Sequence, residues 1–337
     1  MNNTTMQAAQ QQSYGLDTEV VRCPIPTVGE HEVLVKVAAA GVDRGTWHLM
    51  TGLPYMTRLV TGLFKPRKKT PGRDLAGTVE QIGSQVTDFA VGDEVLGIGS
   101  GAFAEYAVAR ERKLVAKPTN LDMEQAAALA TSGLTAWQAL HTHGKVRPGQ
   151  RVLILGASGG VGTFAVQIAR AAGAEVTGVC SASKAELVSS LGAQHVLDYR
   201  KDHIDGTFDL IIDSGGHSPI ARLRSLTQPG GTVVLVGSEE GGSVIGVGRQ
   251  IRAAMLSPFV NQRLVMMIAT EKREDLEALV GLVRSGDVVP AVGRTFPLEA
   301  VSDALGHLAD GHAMGKVVVR VSETAEMQAH EGQKAQA

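Results

Sequence analysis

Cysteine is nearly missing from this chain: Cys23 and Cys180 stand far apart among 337 residues. A fold stapled by disulfides is thereby excluded, and a reducing compartment, the cytoplasm, is expected. Aromatic side chains are scarce as well, at 4%, so the core must be built largely from aliphatic residues. Neither sign of charge dominates, since 32 Lys and Arg face 34 Asp and Glu for a formal charge of −2. Without a global basic field, neither nucleic acid nor a membrane is expected as a partner. The one basic run, Lys65-Pro-Arg-Lys-Lys69, is bounded by proline and reads as a solvated loop, with a polyanion site as the lesser alternative. No unbroken apolar stretch reaches the roughly 18 residues of a membrane-spanning helix. The polar start, Met1 to Gly15, lacks the basic-then-apolar order of a secretory signal. The polar end, from about 323 to Ala337, is expected to fray.

Glycine, by contrast, is abundant, and its 40 residues gather at the ends of apolar runs, where turns need them. The length favours two domains. Residues 30–120 alternate in short strands punctuated by glycine, as at Val33, Val35 and Val37 and in Gly77-Thr-Val-Glu-Gln-Ile-Gly83, a pattern that predicts a compact barrel. Helices are predicted over 122–130 and 134–141. From Arg151 onward strands and helices alternate, with Val152-Leu-Ile-Leu155 apolar on both faces, so a parallel sheet covered by helices is expected. A helix over 273–284 and strand-like segments over 288–296 and 316–321 close the chain.

The chemistry begins at Gly156-Ala-Ser-Gly-Gly-Val-Gly162, which joins a predicted strand to a predicted helix. Glycines there let the backbone approach a pyrophosphate, and the first amides of the helix bind its charge. Ala157 occupies a place where the usual fingerprint has glycine. The turn assigns Gly156, Ser158, Gly159, Gly160 and Val161 to a dinucleotide. The next strand ends Val179-Cys-Ser-Ala-Ser-Lys184. An NAD site places an acid at such a tip to hold the ribose 2′-hydroxyl; here Ser181, Ser183 and Lys184 suit a 2′-phosphate instead. The cofactor expected is therefore NADP, as NADPH. Ser183 as a simple helix cap and Lys184 as a solvated cation remain the alternative. Tyr199, with Arg200, follows the third strand and is a further candidate at the same phosphate.

These motifs, together with Pro71-Gly-Arg-Asp-Leu-Ala-Gly-Thr-Val79, Gly92-Asp-Glu-Val-Leu-Gly97, Gly133-Leu-Thr-Ala-Trp137 and Gly315-Lys-Val-Val318, resemble the medium-chain dehydrogenase/reductase superfamily. Within it the sequence is similar to the zinc-free quinone oxidoreductase branch. The resemblance implies an α/β fold: a Rossmann doubly wound parallel sheet plus a GroES-like β-rich catalytic domain. It divides the chain into 1–134, the amino-terminal part of the catalytic domain; 135–271, the NADP-binding domain; and 272–337, a return segment. It also implies a homodimer, a nicotinamide contact at Thr135, and a cofactor-side lysine at Lys316. The family's zinc enzymes bind metal through Cys and His where Asp43 and Arg73 stand here, so no metal is expected, since a guanidinium cannot ligate zinc.

A quinone or α,β-unsaturated carbonyl accepts hydride without a metal, because conjugation spreads the resulting charge. The protein then positions the partners and supplies a proton. Catalytic candidates are Tyr55, where relatives line the cleft and where a packing role is equally open, Thr135, and Asp43. An ionised Asp43 accepts hydrogen bonds but donates none; pairing with Arg44 or Arg73 and a biased substrate choice both stay open. The loop from Gly237 to Gly246 follows a strand end and either closes over the nicotinamide or is a plain linker. Alternative functions are reduction or oxidation of simple aldehydes, ketones or alcohols, and NADPH binding without turnover.

Overall fold

The computed structural model describes residues 4–236, 253, 255–257 and 260–322. An antiparallel hairpin of β1 (Thr5–Gln10) and β2 (Glu19–Pro24) opens the chain. The polar reading of the first fifteen residues gave no sign of it. Its buried side chains are Met6, Ala8 and Ala9, and it docks through backbone, with the Ala9 N–H donating to the Phe103 carbonyl at 2.9 Å.

The barrel-like sheet runs β14-β15-β3-β4-β5-β7, with β6 also on β3. Its early strands are β3 (Glu32–Val42), β4 (Asp74–Ile82), β5 (Glu94–Ile98), β6 (Tyr106–Arg110) and β7 (Leu114–Ala116). Val33, Val35 and Val37 are all buried, as their period-2 spacing predicts. Between β3 and β4 the chain makes an excursion through α1 (Arg44–Thr51) and α2 (Arg58–Thr61). The return strands β14 (Val292–Pro297) and β15 (Lys316–Arg320) complete this sheet.

The second sheet is parallel throughout, in the order β10-β9-β8-β11-β12-β13. Its strands are β8 (Arg151–Leu155), β9 (Glu175–Cys180), β10 (His195–Asp198), β11 (Phe208–Asp213), β12 (Thr227–Leu235) and β13 (Arg263–Met266). The chain travels outward from β8 in one direction and then in the other, so the crevice at the carboxyl ends of β8 and β11 is the place where such sheets bind ligands.

Of the two helices predicted after Leu121, the first is short, α3 (Met123–Ala127), capped by Asp122 and Gln125 reciprocally. The second, α4 (Ala130–Trp137), begins earlier than predicted and runs into a π-helical stretch over Gln138–Gly144. Helix α5 (Gly160–Ala171) follows β8, and α6 (Ala185–Ser190) and α7 (Ile220–Ser225) follow β9 and β11. Helix α8 (Arg273–Arg284) packs on α4, with Gly133 the point of closest approach: a Cβ there would stand 2.4 Å from Leu279 Cδ2. Helix α9 (Val301–Ala309) lies on the catalytic sheet. The expected division at 134/135 falls inside α4, which touches β4 and β5 of the catalytic sheet and packs on α5 beside the parallel one. Gly237, its loop, and the tail from 323 lie outside the described residues.

Candidate functional site

The turn after β8 is tight for a stated reason. Gly156 has φ +78°, a left-handed conformation, and its N–H and that of Ala157 are taken by the Val179 carbonyl at 3.1 and 3.0 Å. A Cβ on Gly162 would lie 2.1 Å from the Gly156 carbonyl oxygen, so the first turn of α5 presses directly on the strand end. Gly159 caps α5 and faces open space, with only the Gly156 oxygen at 3.4 Å from a built Cβ. The amides of Gly160 and Val161 are the helix's first donors, which no intrahelical carbonyl can satisfy. Glycine cradle, free amides and helix dipole fit a pyrophosphate.

At the other end of such a cofactor, the register pairs Asp198 with Cys180, which brings Tyr199 beside Ser181. Tyr199 is exposed, with Arg200 over its ring at 5.4 Å. Ser181 and Ser183 approach each other at 3.3 Å through their hydroxyls. The Lys184 ammonium donates to the carbonyls of Gly311 and Ala313 at 3.3 and 2.9 Å. Burial lowers its pKa, with the nearby Cys180 acting in the opposite direction. Among the described residues no carboxylate pairs with Lys184.

Between the two sheets lies a buried polar node whose centre, Asp74, sequence reasoning did not single out. Asp74 is wholly buried at the start of β4, and its carboxylate accepts from the N–H of Thr131 at 3.2 Å and from the Thr131 hydroxyl. The Lys316 ammonium stands 3.6 Å from Asp74 Oδ2 and donates to the Val42 carbonyl at 3.1 Å. Burial pushes the Asp74 pKa up to about 6; Lys316 opposes the shift, and the charge of Asp43 adds to it. Lys316, expected on the cofactor side, thus directs its charge to Asp74 and Val42, while its stem lies against the phosphate turn: a Cβ on Gly160 would be 3.1 Å from Lys316 Cδ. The same corner is locked by the Gly315 N–H, which donates to the Ser158 carbonyl at 2.8 Å. Thr135, on α4, donates its hydroxyl to the Thr131 carbonyl at 2.7 Å, so only its lone pairs are left for a ligand.

Asp43 is buried and caps α1, accepting from the Thr46 N–H and hydroxyl at 2.9 Å each. Of the partners considered for it, Arg73 bonds Glu271 instead, and Glu271 also holds Lys113. This triad ties the catalytic sheet to the segment after β13. Arg44 lies over Trp47 at 5.3 Å. As donors for zinc, the two positions offer a guanidinium and a carboxylate already engaged as a cap, and they do not fit the metal. Among the described residues no three of His, Cys, Asp and Glu are grouped as a metal requires. His141 stacks on Trp137 at 4.1 Å, and burial lowers its pKa. Tyr55 is half-exposed in the excursion before α2, its ring under Arg58 at 4.7 Å; no described contact joins it to Thr135 or Asp43. A cavity of about 390 Å³, lined by Lys145, Arg147 and Arg263 among others, opens among residues flanking the amino ends of the parallel strands, away from all of these groups.

The fold and the site together define a two-domain oxidoreductase that binds a nicotinamide dinucleotide. Residues 29–119 match the family described as "Alcohol dehydrogenase GroES-like domain" and residues 191–319 that described as "Zinc-binding dehydrogenase". The chain is 32% identical over 340 residues, 95% of its length and 99% of the relative's, to the "Chloroplast envelope quinone oxidoreductase homolog" of Arabidopsis thaliana. It is 32% identical over 319 residues, 89% and 91% of the two chains, to the "Quinone oxidoreductase" of Homo sapiens. The solved quinone oxidoreductase from Coxiella burnetii superposes with a TM-score of 0.81 at 29% identity, covering 94% of this chain and 100% of that one. The chain belongs to the medium-chain dehydrogenase/reductase superfamily, and within it is quinone oxidoreductase-like.

Proposed function

We propose that the chain is a zinc-independent, NADPH-dependent reductase of quinones or α,β-unsaturated carbonyls. The observation that carries the cofactor choice is Lys184, a cation without a carboxylate partner among the described residues at the acid-free end of β9. Ser181 and Ser183, with Tyr199 following the Asp198–Cys180 pair and Arg200 over the Tyr199 ring, complete the proposed 2′-phosphate site. Gly156, Ser158, Gly159, Gly160 and Val161 are proposed to hold the pyrophosphate, and Thr135 to orient the nicotinamide by accepting a hydrogen bond. When bound, the reduced nicotinamide supplies the hydride. Tyr55 is the hydroxyl proposed to deliver the proton, and Asp43 fixes α1, from which the excursion carrying Tyr55 departs. A homodimer in the cytosol, with the domain division at 134/135 and 271/272, completes the reading.

Charge-assisted hydrogen bonds contribute about 1.5–3 kcal/mol each. Lys184→Ala is therefore expected to weaken NADPH binding by roughly tenfold or more while leaving NADH within about twofold, measured by fluorescence titration. Equal losses for both cofactors would remove Lys184 from the 2′-phosphate.

The reaction is tested by NADPH oxidation with a quinone, an enone, a saturated ketone and an aldehyde, each with and without a zinc chelator. Turnover of the first two, unchanged by the chelator, is expected. Turnover of the saturated carbonyls alone, loss of activity on chelation, or tight binding with no turnover would each overturn the proposal.

A further inference from the structure

Met56, Leu59, Val60, Leu63 and Phe64 recur at the spacing of one helical face, which ordinarily turns inward. Here all five are exposed, Val60 at 78% and Phe64 at 89%. Helix α2 stops at Thr61 because Gly62 has φ +126° and its Cα faces the Lys65 carbonyl, 2.2 Å from where a Cβ would be. The chain turns there and presents Leu63 and Phe64 from a loop. That loop is braced: the Tyr14 hydroxyl meets the Thr61 hydroxyl at 2.7 Å, the Arg67 N–H donates to the Thr61 carbonyl at 2.8 Å, and Arg58 lies over Tyr14 at 4.4 Å.

The second observation is charge. From Arg44 to Arg73 there is no Asp or Glu, while Arg44, Arg58, Lys65, Arg67, Lys68, Lys69 and Arg73 all carry positive charge. Lys65, Arg67, Lys68 and Lys69 are exposed directly after the apolar stripe, and none has a carboxylate partner among the described residues. Lys68 donates to the Ser100 hydroxyl at 2.8 Å. A net charge of −2 over the whole chain hides this local field.

We propose that the segment from Met56 to Lys69 docks the protein on the surface of an anionic lipid bilayer. Val60, Leu63 and Phe64 enter the headgroup–acyl boundary, and the four cations meet the headgroups. Attachment of this kind needs no spanning helix, and no described helix is long and apolar enough to cross a membrane. A second copy of the chain is the poorer occupant, because a two-fold contact through this patch would set like cationic clusters face to face. The inference does not depend on which acceptor the enzyme reduces.

The test is flotation of the full chain with vesicles of phosphatidylcholine alone and with about one-third phosphatidylserine. The wild type is expected to float with the anionic vesicles, less as salt rises, and weakly with the neutral ones. The Leu63→Ser/Phe64→Ser variant and the Lys65→Gln/Arg67→Gln/Lys69→Gln variant are each expected to lose about tenfold or more in partitioning. Unchanged circular dichroism and Tm show that each variant is folded. No preference for anionic vesicles, or partitioning unaltered in both folded variants, overturns the proposal. So does a wild-type dimer that fails to float and becomes monomeric in Leu63→Ser/Phe64→Ser, because the patch is then a subunit contact.

Discussion

Gly162→Ala is expected to abolish detectable NADPH binding and to lower stability by about 2–4 kcal/mol, whereas Gly159→Ala is expected to lose affinity with its stability nearly intact. The two glycines are three residues apart but face different things. At 162 an added Cβ would meet the Gly156 oxygen at 2.1 Å and Ala157 backbone carbons at 2.7 Å. None of these atoms is the end of a flexible side chain, so relief requires moving β8 relative to α5. That movement opens the turn and misdirects the amides of Gly160 and Val161. At 159 the backbone is ordinary for alanine, with φ −82°, and the Cβ meets one oxygen at 3.4 Å. The cost to folding is the poorer helix cap, about 1 kcal/mol or less. The added methyl nonetheless occupies the open space where a pyrophosphate must approach the helix, so NADPH affinity should fall about tenfold or more. Thermal melts and titration of both variants decide it. Undiminished NADPH affinity in Gly159→Ala would place the phosphates elsewhere.

The strand, glycine turn and helix after Arg151 were readable because they are local, following one another without interruption from Arg151 to Ala171. Helix α8 was readable for the same reason, its apolar residues falling on one face of a helix that begins and ends at the expected Arg273 and Arg284. The hairpin of β1 and β2 was not, because it buries only Met6 and two alanines and is held by backbone bonds to Phe103 and Glu105, nearly a hundred positions away. The same limit hid the node at Asp74. In sequence, Arg73 invites attention as the residue standing where relatives hold zinc, but its partner Glu271 is 198 positions away. Asp74 and Lys316 lie 242 positions apart (316 − 74) and meet only when β15 returns to β3. The acid-free run from Arg44 to Arg73 was visible all along. Only the exposure of Val60 and Phe64 shows that the stripe within it does not pack inward.

Asp74 also carries the second large expected effect. Lys316, almost fully buried, has Asp74 as its counter-charge and the Val42 carbonyl as its hydrogen-bond acceptor. Removing one member of such a pair leaves a buried charge uncompensated and typically costs about 3–5 kcal/mol, while replacing both by apolar groups costs far less. Lys316→Met, which strands the Asp74 carboxylate, is thus expected to destabilise the protein strongly at pH 7. The neutral isostere Asp74→Asn is expected to cost far less, because burial already disfavours the ionised carboxyl, and Asp74→Leu with Lys316→Met to be milder than Lys316→Met alone. The pH dependence has a definite sign. The folded pKa of Asp74, about 6, lies above its ordinary value of 3.8, so the folded protein binds a proton more tightly than the unfolded chain. The stability this proton confers is fully present below pH 3.8 and is lost as pH rises through 6. Relative to Asp74→Asn, which cannot titrate, the wild type should therefore gain on acidification from pH 7 to 4, by on the order of 3 kcal/mol. Urea unfolding of both proteins at several pH values measures the gap. A wild type that instead loses stability relative to Asp74→Asn as the pH falls would mean that Lys316 outweighs burial and holds the carboxylate ionised. The node would then be an ion pair at every working pH, and its tie between α4, the catalytic sheet and the phosphate turn would be electrostatic throughout.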